Sequence, residues 1–137
     1  MKKLEAIIEK QDDLLFARIE GKGNYMPNGY GPTLTDALNN LKEMILDYQV
    51  NEGKEDKFWK KVDVAAVQFD LHYDLQAFFE AHDFLNITAI AKRSGINPAL
   101  VRQYASGVKH ASVEQSKRLL GTIHKLGQEL QTVSLHT

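Results

Sequence analysis

Short runs rich in Ile, Leu and Phe, over Lys3 to Glu9 and Leu14 to Glu20, flank Gln11-Asp12-Asp13 near the start of the chain. Apolar runs of that length on either side of an acidic turn predict a β-hairpin. Gly21, Gly23, Asn28, Gly29 and Gly31 then break the pattern, with room for a third short strand near Tyr25 or Tyr30. At Leu34 the period changes. Leu34, Leu38, Leu41, Ile45 and Tyr48 recur at i, i+4, i+7, i+11 and i+14, the spacing of an amphipathic helix laid on the sheet. Thr33 followed by Asp36 forms its capping box, with Asp in place of Glu. Asn51 to Lys57 has no apolar residue and reads as an exposed loop. Phe58 to Leu71, carrying Val62, Val64, Val67 and Phe69, reads as a further strand whose alternation is blurred by Ala65 and Ala66.

Beyond Tyr73 the pattern is helical. Asp74 is placed to cap a helix over Leu75 to Phe84, whose Leu75, Phe78 and Phe79 are expected to pack beneath the segment that follows. That puts a boundary near Tyr73 and divides the chain into residues 1–72 and 73–137. Asn86 to Gly107, NITAIAKRSGINPALVRQYASG, reads as two short helices joined by a tight turn at Ser94 to Asn97, the signature of a helix-turn-helix. Gly95 supplies the positive φ of the bend, Asn86 and Asn97 are N-caps, and Pro98 sits at a first helical position. Ile96, Leu100, Val101 and Tyr104 share the inner face, which leaves Asn97, Pro98, Ala99, Arg102 and Gln103 facing outward. Ser112 with Gln115 opens a final long helix whose Leu119, Ile123, Leu126, Leu130 and Val133 alternate at steps of four and three. Such a seam either packs inside its own domain or pairs with a second chain; the expectation is a homodimer through Leu119, Ile123, Leu126 and Leu130. Gly121 and Gly127 weaken that helix.

Charge turns the helical segment into a candidate DNA reader. From Asn86 to Thr137 seven basic residues stand against two acidic ones, a net of +5, whereas Met1 to Leu85 carries ten basic and sixteen acidic side chains, a net of −6. The overall balance of −1 hides this asymmetry. Arg102 can bond a guanine edge with two prongs and Gln103 an adenine edge; Thr88, Lys92, Lys109 and the helix N-termini are placed for phosphates. The competing reading is that any small helical bundle contains a helix-Gly-helix corner. At 137 residues and 43% apolar, the chain can bury a core as one ordinary domain or two small ones. The absence of cysteine removes disulfide and thiolate chemistry. With no apolar run near membrane length, and Glu5 and Glu9 interrupting any signal-peptide core, a cytoplasmic location is expected.

The order of parts resembles a HicB-type antitoxin: two strands, a Gly-Pro-Thr approach to an amphipathic helix, another strand, and then a basic helix-turn-helix. Gly31-Pro32-Thr33-Leu34-Thr35-Asp36-Ala37 stands where that family has its Gly-x-Thr turn. The C-terminal likeness is closest at Ala91-Lys92-Arg93, Gly95-Ile96-Asn97-Pro98 and Arg102-Gln103-Tyr104-Ala105-Ser106-Gly107. Before the turn this chain has GKGNYMPNGY, a departure from the Pro-x-x-Pro-Gly-like stretch usual in the family.

The resemblance implies an α+β fold, with an N-terminal partial ribonuclease-H-like sheet and helix followed by a lambda-repressor-like all-α helix-turn-helix domain. It also implies an antitoxin that silences a small basic HicA-type ribonuclease and represses its own operon by binding double-stranded operator DNA. An acidic domain would steer toward such a partner, and the surface candidates are Asp12, Asp13, Glu20, Tyr25 and Tyr30. Two other classes compete. One is a stand-alone transcription regulator whose N-terminal domain binds another ligand or protein. The other is a metal nuclease, for which Asp12, Asp36 and Asp70 can be nominated although a turn, a helix start and a strand end already give acids local reasons to be there. His72, His82, His110, His124 and His136 show no ligand spacing, and the glycine-rich Gly21 to Gly31 segment lacks Lys followed by Ser or Thr, so no metal or other cofactor is expected. Phe58 and Trp59 read as core.

Overall fold

A computed structural model describes residues 3–137. Four strands, β1 (Leu4–Gln11), β2 (Leu14–Arg18), β3 (Asn28–Gly31) and β4 (Phe69–Tyr73), form one mixed sheet in the order β3-β2-β1-β4. β1 and β2 are an antiparallel hairpin in which Gln11 faces Leu14, so Asp12 and Asp13 alone make the turn. Asp12 takes φ 55°, a left-handed conformation that Asp tolerates better than most side chains. β3 joins β2 antiparallel, with Tyr30 opposite Phe16, and β4 runs parallel to β1, with Leu4 opposite Phe69.

Between β3 and β4 lies α1 (Leu34–Val50), which starts as its sequence says it should. Thr33 Oγ1 accepts from the Asp36 amide at 3.1 Å and donates to the Asp36 carboxylate at 2.8 Å. Ala37, Leu41 and Ile45 are the buried stripe of α1 and meet Leu4, Ala6 and Ile8 of β1, Leu15 and Ala17 of β2, and Ile19 just beyond it. The helix can come this close to β3 because Gly29 has no side chain: a Cβ there would stand 2.6 Å from the Ala37 carbonyl oxygen.

The strand expected over Phe58 to Leu71 is confined to its end, Phe69–Tyr73; before it comes a 3₁₀ turn at Trp59–Lys61 and irregular chain. Side chains satisfy this backbone where a ladder would otherwise be needed. Asp56 Oδ1 accepts from the amides of Phe58 (3.0 Å) and Trp59 (3.1 Å), while Gln49 Nε2 donates to the carbonyls of Trp59 (2.7 Å) and Val62 (2.8 Å). Trp59, Val64 and Val67 still enter the core.

The expected boundary near Tyr73 is corrected as well. α2 (Leu75–Ala81) stops short of Phe84 and belongs to the sheet: the chain divides into compact units at residues 1–81 and 82–137. The Asp74 amide donates to the Ile8 carbonyl (3.0 Å), Ala77 is part of the sheet's core with Ala81 against it, and Lys10 pairs with Glu80 at 2.9 Å. These ties fasten α2 to β1 before the second unit begins. The second unit contains α3 (Ile87–Ser94), α4 (Pro98–Ser106) and α5 (Val113–Gln131). Its buried residues include Ile90, Ala91, Ile96, Val101, Tyr104 and Leu119.

Candidate nucleic-acid interface and partner surface

Three residues, Gly95 to Asn97, separate α3 from α4, and local chemistry sets each end. Asn86 Oδ1 accepts from the Ala89 amide (3.0 Å) at the start of α3. Gly95 closes it at φ 70°, the left-handed conformation that costs glycine least. Asn97 Oδ1 accepts from the Ala99 amide (2.8 Å), Pro98 follows as the first residue of α4, and Gly107 ends that helix at φ 80°. Asn97 therefore serves first as a cap; its side-chain amide nitrogen remains at the surface for other use.

On α4, Val101 and Tyr104 point into the unit while Arg102, Asn97 and Ala99 are exposed and Pro98 and Gln103 half-buried. Arg102 Nη1 donates to Thr88 Oγ1 at 3.0 Å, so α3 holds the guanidinium of α4 in place. Thr88 and Lys92 share one face of α3 at i, i+4, and together with Arg102 they make one polar patch. The two carboxylates of Glu114 and Glu129 are occupied elsewhere, on Arg118 (3.5 Å) and Arg93 (3.2 Å). Among the described residues, no carboxylate pairs with Lys92, Arg102 or Lys109. The patch is thus uncompensated positive charge with forked and point donors, a surface suited to phosphate oxygens and base edges. The Arg93–Glu129 pair and a Ser94–Thr122 hydroxyl contact of 2.8 Å fasten α3 to α5 behind it.

The expected dimer seam divides along its length. Leu119 is fully buried within its own unit, Ile123 and Leu126 are half-buried, and only Leu130, 65% exposed, stands clear. Leu119 is a core residue of the single chain and is not available to a second one.

In the first unit the acidic and aromatic candidates are not gathered. Asp12 and Asp13 sit at the hairpin turn, and Glu20 lies beyond the other end of β2, seven residues from Asp13, about 23 Å along an extended strand. Glu20 accepts from Arg18 Nε (2.8 Å), and Arg18 also pairs with Glu9. Tyr25 is structural: its ring stacks on Tyr48 at 4.0 Å, and its hydroxyl lies 3.5 Å from the Met44 carbonyl. Tyr30 is different. It is 58% exposed and stacks on Phe16 at 5.7 Å, on the sheet face opposite α1. By strand alternation that face also carries Glu5, Ile7, Glu9, Arg18, Asp70 and His72. His72 bridges Asp70 (3.0 Å) and Glu5 (3.5 Å).

No family model matches this chain, and comparison with curated proteins and with solved structures gives no match either.

The carboxylates nominated for metal chemistry are dispersed in local roles: Asp12 in the turn, Asp36 at the α1 cap, Asp70 on His72. Among the described residues no three His, Cys, Asp or Glu side chains are grouped to hold a metal, and no helix is long and apolar enough to cross a membrane. Sequence reasoning missed the Phe16–Tyr30 face and the role of Asp56. The first had a signal in the Glu5-Ile7-Glu9 positions alternating with Leu4-Ala6-Ile8; the second had none for the Tyr48 hydroxyl and the Asn24 amide, which reach Asp56 from 8 and 32 residues away.

Proposed function

We propose that this chain is a HicB-type antitoxin and autorepressor. Its second unit acts as a lambda-repressor-like helix-turn-helix that reads operator DNA with α4, Arg102 and Gln103 facing base edges and Thr88, Lys92 and Lys109 facing phosphates. Its first unit, a partial ribonuclease-H-like domain, holds and silences a small basic HicA-type ribonuclease. One observation carries the reading: Arg102 on a capped α4 is braced by Thr88, which has Lys92 one turn further along α3, and among the described residues no carboxylate neutralises either cation. Bracing reduces the side-chain freedom lost on docking, and unpaired cations release phosphate counterions on binding.

The toxin surface of this proposal is the open sheet face around Phe16, Tyr30 and Ile7, ringed by Glu5, Glu9, Glu20 and Asp70. The exposed Tyr30 ring and the half-buried Phe16 beside it supply contact area there, and the excess of carboxylates suits a basic partner. Two operator half-sites would be met by a dimer joined where α5 is still uncovered, at Leu130.

Affinity purification of the tagged protein from its own cells, at low and high salt, tests the reading. The expected result is a small basic protein that stays bound and shows ribonuclease activity only once freed. Promoter DNA retained with no such protein would favour a stand-alone regulator, and retention of neither would overturn both.

A further inference from the structure

The first unit contains an open cavity of about 460 Å³ lined by Leu4, Phe58, Val62 and Val67, with Lys57, Lys61 and Asp63 at its mouth. Its volume lies within the roughly 300–1,000 Å³ usual for small-molecule sites. The floor is apolar and partly contributed by core side chains, Leu4 and Val67. The mouth is cationic. Among the described residues neither Lys57 nor Lys61 pairs with a carboxylate, and Lys22 Nζ stands 5.8 Å from the Phe58 ring centroid. The nearby acids are engaged: Asp63 accepts from the Ala65 amide (3.2 Å), and Asp56 accepts from Asn24, Phe58, Trp59 and Tyr48. In a unit where fifteen acidic residues outnumber ten basic ones, residues 54–61 carry four lysines against Glu55 and Asp56, a local net of +2.

We propose that this cavity binds a small anionic amphiphile, a carboxylate or phosphate head on a medium-length alkyl chain. The chain lies on Leu4, Val62, Val67 and the Phe58 ring, where it removes apolar surface from water. The head group is held at the mouth by the Lys57 and Lys61 ammonium groups through charge-assisted hydrogen bonds. The proposal is independent of the DNA and toxin reading, and such a ligand would make the first unit a sensor of that chemistry.

The protein carries its own reporter. Trp59 is the sole tryptophan, and its ring meets Phe58 edge-on at 5.0 Å. Titrating the full chain with dodecanoate and with dodecyl phosphate below their micelle concentrations should change Trp59 emission saturably at one ligand per chain. Dodecanol, which has no charge, should bind at least about tenfold more weakly, and K57Q/K61Q should lose about tenfold or more for both anions. These lysines are exposed and unpaired, so circular dichroism should show the variant folded. A stronger response to one head group identifies the source within the proposed class. No saturable change overturns the proposal. So does binding that dodecanol matches or that K57Q/K61Q retains.

Discussion

A single carboxylate ties together the loops at one side of the sheet. Asp56 is 7% exposed, and four donors reach it: the amides of Asn24 (3.0 Å), Phe58 and Trp59, and the Tyr48 hydroxyl (2.8 Å). Gly23 makes room for it, and Trp59 Nε1 closes the arrangement on the Lys22 carbonyl at 2.9 Å. The Asn24 amide, helped by those of Trp59 and Phe58 and by Tyr48, holds the carboxyl below its ordinary range against an opposing push from burial. A depressed folded pKa means that the carboxylate's contribution is full above the unfolded value and disappears as pH falls through the folded one. Asp56→Asn should therefore lower the urea midpoint of the first unit at neutral pH, and the gap between variant and wild type should narrow on acidification. Parallel curves across that range would refute the role.

Gly29→Ala is a steric counterpart, since its Cβ collides with α1 backbone; overpacking there should cost about 1–3 kcal/mol in denaturant unfolding, and an unchanged midpoint would show that α1 can shift. Neither residue was legible beforehand. Asp56 sits in NEGKEDK, where nothing local separates it from Glu52 or Glu55, and a close approach to Gly29 is a fact about α1.

Elements were legible wherever their ends are settled by neighbours in sequence. Thr33, Asp74, Asn86, Asn97 and Ser112 each cap the helix expected of them because a cap involves only an oxygen and an amide two or three residues away. The segment 58–68 was misread for the opposite reason: its valines do enter the core, but Gln49, on α1, takes the Trp59 and Val62 carbonyls from ten and thirteen residues away and leaves no ladder to be made there. The same separation of local and remote roles distinguishes two kinds of residue on α4. Asn97→Ala removes a cap and should cost the second unit about 0.5–2 kcal/mol of stability. Arg102→Ala leaves only an exposed hydrogen bond to Thr88 unmade, so stability should hardly move. Operator affinity should instead fall by about 1–3 kcal/mol with relaxed base preference, while Lys92→Ala should weaken all sequences evenly and flatten the salt dependence. Fluorescence anisotropy with operator and scrambled duplexes measures both; unchanged preference in Arg102→Ala would remove α4 from the recognition role.

At the scale of the whole molecule, opposite charge divides along the same line as the two compact units: residues 1–81 carry five more acidic than basic side chains, residues 82–137 four more basic than acidic. The sign of each unit was visible in the sequence, but the position of the division was not, because the apolar spacing of α2 fits a sheet as well as a helical bundle. The seam of α5 posed a similar ambiguity, and burial resolves half of it. Leu119 lies wholly inside the second unit, so Leu119→Ala should cost about 2–5 kcal/mol by emptying a core position, and its effect on assembly would be indirect. Leu130 has no such duty. If the second unit dimerises through the far half of α5, Leu130→Asp should leave circular dichroism and thermal unfolding of dilute protein unchanged. It should shift sedimentation from dimer toward monomer, and weaken binding to a two-half-site operator far more than to a single half-site. A wild-type chain that sediments as a monomer at every concentration would end the dimer proposal; a dimer indifferent to Leu130→Asp would place its interface away from α5.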